Sequence, residues 1–166
     1  MKKIALATLL GLATFAQSAD ADHKHNKEFY KSFNNVPSLV QELKGCQETY
    51  MGIVKLGEMY YKDNNYGLAI SVTQKAINMD SANYLGWHNL SACYIKIKEI
   101  PDALKTEIKA LTLAKTSEDF VHVYGGLAVI YSKLGDFERA REFLNKGLNI
   151  DYNNSNLLLI QSKLQQ

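Results

Sequence analysis

Two cysteines stand among the 166 residues, and they do not form a C-x-x-C pair, so nothing marks a dithiol or zinc-ribbon site. There is also no G-x-x-x-x-G-K-[ST] loop to cradle phosphates, no G-x-S-x-G elbow and no H-E-x-x-H helix. Carboxylates are scattered, without an evident pair in an apolar setting. These absences argue against an enzyme: no catalytic, cofactor-binding or metal-binding residue is assigned, and no cofactor is implied. A concentrated basic run is missing as well. The 19 Lys and Arg are interspersed with 17 Asp and Glu, for a net charge of +2. A phosphate backbone needs one basic face, so nucleic acid is not an expected partner. What is present, 46% hydrophobic and 22% charged residues, suits one soluble domain of ordinary composition.

The first 21 residues read as separate from that domain. "MKK" is a basic start, "IALATLLGLATF" an apolar run, and "AQSADA" a small-residue segment. This is the pattern of a secretory signal peptide, with cleavage after Ser18 or, from the Ala19/Ala21 pair, after Ala21. The apolar run is too short to span a bilayer, so no stable membrane insertion of the mature chain is expected. The mature protein is therefore expected outside the cytoplasm, periplasmic or secreted.

Beyond it the chain repeats. Segments 50–83 and 84–117 follow each other with a period of 34 residues, and a third copy, 121–154, comes after the insertion Glu118, Asp119, Phe120. Each copy carries large apolar residues at its positions 4, 7 and 11 with a small residue at 8: Ile53, Leu56, Gly57 and Tyr60; Trp87, Leu90, Ser91 and Tyr94; Tyr124, Leu127, Ala128 and Tyr131. That spacing makes one stripe of a helix. A second stripe contains the pairs Ala69 and Ala76, Ala103 and Ala110, Ala140 and Gly147, small enough to let two helices approach closely. Turn signals separate the stripes at Asp63-Asn64-Asn65, at Lys98 to Pro101, and at Leu134-Gly135-Asp136. Gly135 suits a left-handed helix end and Pro101 a first helical turn. Each copy is thus an antiparallel helix hairpin that must stack on its neighbours to bury both faces.

These residues resemble the tetratricopeptide repeat, whose pattern is W-x2-L-G-x2-Y followed by A-x3-F and a late Pro. The resemblance implies an all-α solenoid, a right-handed superhelix of three hairpins. An N-terminal helical cap over 22–49 and a C-terminal capping helix over 155–166 should flank them, the latter presenting Leu157, Leu158, Ile160 and Leu164. The copies depart from the pattern. The late Pro is Ser81, Lys115 and Tyr152, and the A-x3-F aromatic is Thr73, Glu107 and Leu144. Glu107 marks the second helix of the middle repeat as the least well packed. Thr116 and Asp119 have capping-box spacing, so the insertion should lengthen the next helix by about one turn.

Cys46 and Cys93 would stand roughly 20 Å apart along parallel first helices at 1.5 Å per residue, beyond the roughly 7 Å between Cα atoms that a disulfide tolerates. Two unpaired thiols are expected. His23 and His25 read as a solvated start rather than a metal site.

The resemblance further implies a concave groove for extended or helical peptides. Its positions here are Met51, Val54, Glu58, Tyr61 and Lys62 in the first repeat, Leu85, His88, Ala92, Ile95 and Lys96 in the second, and His122, Gly125, Val129, Ser132 and Lys133 in the third. Met51, Val54, Leu85, Ala92, Ile95 and Val129 would form an apolar floor beside a row of lysines. The family's carboxylate clamp uses Lys and Asn at positions 5 and 9 of the first repeat; Val54 and Glu58 stand there, which argues against a chaperone tail as the ligand. The expected function is an exported, non-catalytic module that binds a protein or peptide partner in envelope or secretion-related assembly. The alternative is a self-assembling structural protein, a homo-oligomer joined through its end helices.

Overall fold

The computed structural model describes residues 49–165, and these form seven α-helices with no strand among them. In chain order they are α1 (Tyr50–Lys62), α2 (Tyr66–Met79), α3 (Tyr84–Lys96), α4 (Ile100–Leu113), α5 (Ser117–Lys133), α6 (Phe137–Ile150) and α7 (Ser155–Leu164). The signal-peptide reading, nearly all of the N-terminal cap, Cys46 and the two early histidines lie outside the described residues.

Helix starts follow from short polar side chains that accept from backbone N–H groups left orphaned by helix geometry. Thr49 accepts from Gly52, Asn83 from Leu85, and Asp136 from Arg139. Pro101 opens α4, which has no side-chain cap. At α5 the Thr116 hydroxyl accepts from the Asp119 N–H while the Asp119 carboxylate accepts from the Thr116 N–H, the expected capping box. The helix it opens runs 17 residues against 13 for α1 and α3, so the insertion is absorbed as one extra turn.

The three hairpin turns share one device. Asn64, Lys98 and Gly135 stand at equivalent places and take left-handed φ values of 60°, 68° and 77°. In each, the next residue donates back to the helix, Asn65 to Tyr60, Glu99 to Tyr94 and Asp136 to Tyr131. This is the paired-bond helix ending that a left-handed residue permits.

The chain divides into two compact units, residues 1–72 and 73–166, at a boundary within α2. In the described part of the first, α1 buries Ile53, Val54, Leu56 and Gly57, α2 buries Ala69 and Val72, and Tyr61 meets Tyr66 edge to face at 5.7 Å. In the second unit α3 packs on α4 and α5 on α6, with α5 also against α3 and α4, and α7 against α5 and α6. Small residues sit where the partners cross: Ala103, Ala110 and Ala140 are wholly buried, and Ser91 Oγ donates to the Ala103 carbonyl at 2.9 Å. Leu127, Val123 and Tyr131 fill the core beside them, with Tyr131 stacked on Phe143 at 5.5 Å. On α7, Leu157 is the buried knob, seated 3.1 Å from where a Cβ on Gly125 would stand and 2.8 Å from one on Gly147. Leu158 differs from expectation: it is exposed, because Leu157, Ile160 and Leu164 alone define the covered stripe.

Candidate functional site

Leu85, His88, Ala92 and Ile95 follow one another at helical spacing along α3, as do His122, Val129 and Ser132 along α5. All seven are half-buried, and Lys96 and Lys133 in the last turns are exposed. The packing of α3 against α5 brings the starts of these stripes together. The His88 and His122 rings stack at 6.0 Å and 17°, and the Tyr84 ring stacks on His122 at 6.4 Å and 24° with its hydroxyl 3.0 Å from His122 Nδ1. Three rings therefore line the seam between the two helices.

Behind them lies a residue that the pattern cast as a defect. Glu107 on α4 is 0% exposed rather than loosely packed. His88 Nδ1–H donates to its Oε1 at 2.8 Å, while Oε2 has no hydrogen-bond partner among the described residues. Room for the carboxylate comes from α5. A Cβ on Gly126 would stand 2.1 Å from Oε1, so the glutamate occupies the volume a side chain there would need. A buried carboxylate is costly unless paired and hydrogen-bonded, and His88 supplies both the bond and, when protonated, the counter-charge. The middle repeat is thus held by a polar cluster spanning α3, α4 and α5 where an aromatic was expected.

The same two helices, α3 and α5, carry two further charged or reactive groups. Burial opposes ionisation of Asp119, but hydrogen bonds from the Lys115 and Thr116 N–H groups and the Thr116 hydroxyl, with His122 close by, hold its carboxyl below the usual 3.8. Cys93 is a free, buried thiol pushed up to about 12 by desolvation, which keeps it protonated and unreactive.

Other expected groove residues are placed differently. Val54 is 2% exposed and continues the buried stripe of α1 with Ile53 and Gly57, so it presents no open floor. Gly125 is buried beneath Leu157. Position 5 of these repeats thus faces packing, with His88 on His122 and Gly125 under α7. In the first unit Met51 and Lys62 are exposed and Glu58 and Tyr61 half-buried. Among the described residues no cluster of three or more metal-ligating side chains occurs, and no helix is long and apolar enough to cross a membrane.

Residues 121–154 match the family model described as tetratricopeptide repeat. The heat shock protein sti1 homolog of Schizosaccharomyces pombe is 32% identical over 102 residues, 61% of this chain and 17% of that protein. The Hsp70-Hsp90 organizing protein 2 of Arabidopsis thaliana is 28% identical over 147 residues, 86% of this chain and 25% of that protein. The chain thus spans a quarter or less of the length of these curated relatives. Among solved structures, the second TPR domain of human RPAP3, in complex with the HSP70 peptide SGPTIEEVD, superposes with a TM-score of 0.58 at 23% identity, covering 68% of this chain and 91% of that one. Fold and sequence agree: the described residues have the all-helical fold of tetratricopeptide-repeat domains, and residues 121–154 match the model of that repeat.

Proposed function

We propose that the chain is a non-catalytic interaction module that holds a peptide or protein partner on the face formed by α3 and α5. The observation that carries this is the pair of half-buried stripes, Leu85 to Ile95 and His122 to Val129, meeting at the Tyr84–His122–His88 rings. Contiguous accessible apolar and aromatic surface on a rigid helical frame is the usual footprint of a peptide site. A structure of the same fold holds a peptide, which supports the reading. An acidic tail of the SGPTIEEVD kind is not the ligand we propose. The first repeat offers a buried Val54 and the carboxylate of Glu58 where the family's clamp has Lys and Asn.

The test is affinity capture of partners by wild type and Ile95→Glu, with helical content and melting temperature measured alongside. The variant should stay folded, because Ile95 is only half-buried, and should lose the partner. Equal affinity of a folded Ile95→Glu for the same recovered partner would sink the assignment. Saturable micromolar binding of SGPTIEEVD would instead return the chain to acidic-tail recognition.

A further inference from the structure

The seam between α3 and α5 gathers carboxyl groups at the end where the helices start. Glu107 is the anchor: wholly buried, bonded to His88 through one oxygen and lacking a partner for the other among the described residues. Glu118 and Asp119 stand one turn before His122 on α5, four and three residues ahead of it and so on its face. Lysines on the neighbouring helix do not offset this charge. Lys105 and Lys109 are each two residues from Glu107 on α4, roughly 200° around the helix at about 100° per residue, and are exposed. A carboxylate buried in low dielectric projects a less screened field than one in water. Beside the His88–Glu107 bond the His88 and His122 rings lie nearly parallel, with Tyr84 stacked on His122, so three half-buried rings stand together at the seam.

We propose that this seam is a subsite for a basic side chain, lysine or arginine, of the bound partner. The proposal rests on the peptide-binding reading of the same face and gives the partner a chemistry: a cation placed over the rings, with Glu107 and Asp119 as the charges that favour it. Arginine fits best, because its planar guanidinium stacks on rings and sheds water more readily than an ammonium. Glu107 acts as a positioning residue. It fixes the His88 ring from behind, and Gly126 lacks the Cβ that would displace it. The lysines at the other end, Lys96 and Lys133, lie about 12 Å and 16 Å further along their helices at 1.5 Å per residue, so the charge of the face changes sign along the bound segment.

The probe is N-acetyl-arginine amide, titrated into the full chain and followed by amide chemical shifts, with N-acetyl-aspartate amide as the opposite-charge control. The expected result is saturable shifts concentrated at Tyr84, His88, His122 and Gly126 for the arginine probe alone, weakened at least fivefold in Glu107→Gln. That variant keeps an acceptor for His88, so loss of charge is separated from loss of the bond. His122→Leu, at a half-buried position, removes the stacked ring without touching Glu107 and should weaken the probe similarly. Equal binding of both probes, or undiminished arginine binding in folded Glu107→Gln, overturns the proposal. Failure here with loss of partner capture by Ile95→Glu would reject the basic subsite and leave the peptide-binding reading standing.

Discussion

At the scale of single residues, Gly126 and Glu107 must be read as one feature. An alanine at 126 would place its Cβ 2.1 Å from Glu107 Oε1, and the carboxylate cannot retreat without losing its bond to His88. Gly126→Ala should therefore destabilise by about 1–3 kcal/mol from overpacking and an orphaned buried acceptor, even though alanine favours helix by about 1 kcal/mol. In a Glu107→Ala background the added methyl enters vacated space. The double variant should be more stable than the sum of the single effects by more than about 1 kcal/mol. Denaturation midpoints for the four proteins check this, and simple additivity would contradict the packing. The sequence held a faint signal of one of the two. Glu107 stands where the other copies carry Thr73 and Leu144, a carboxylate on an otherwise buried stripe, while nothing in the sequence singled out Gly126 as its partner.

Elements are where the sequence was most informative, because helix starts, stops and crossings are decided within a few residues. The left-handed turn at Gly135 was legible, since glycine alone carries no Cβ penalty there. The equivalent places are occupied by Asn64, a residue that tolerates this conformation, and by Lys98, which does not. Lys98→Gly should raise stability by about 1 kcal/mol, read as a higher urea midpoint, whereas Gly135→Ala, with open space around it but φ of 77°, should lower it by a similar amount. The capping box adds a pH signature. The Asp119 carboxyl is held below its ordinary 3.8 in the folded chain, so its contribution is fully present above that value and is lost as pH falls through the lower, folded one. The stability gap between wild type and Asp119→Asn should be present at pH 7 and shrink below pH 3.8. A gap that widens on acidification would contradict the cap assignment. The exposure of Leu158 was not legible: a run of three leucines is apolar on every side, and only docking against α5 and α6 selects Leu157.

For the whole molecule, export is the property still carried by sequence alone. The basic start, short apolar run and Ala19/Ala21 pair lead us to propose that the native protein begins at Asp22. Amino-terminal sequencing of the chain from its natural source checks this, and a terminus at Met1 would refute it. The sequence by itself determined the helical class, the hairpins and their turns. Periodicity of 3.6, small residues at crossings and short polar caps act locally, and each is written within about one turn of chain. Only tertiary structure decided that Val54 is covered, that His88 and His122 meet, and that Glu107 lies buried against His88 rather than at a loose surface. These depend on contacts between helices, 19 residues apart for His88 and Glu107. A one-dimensional pattern can show that a carboxylate falls on a buried stripe; whether a partner and a vacant Cβ await it depends on where the neighbouring helices come to rest.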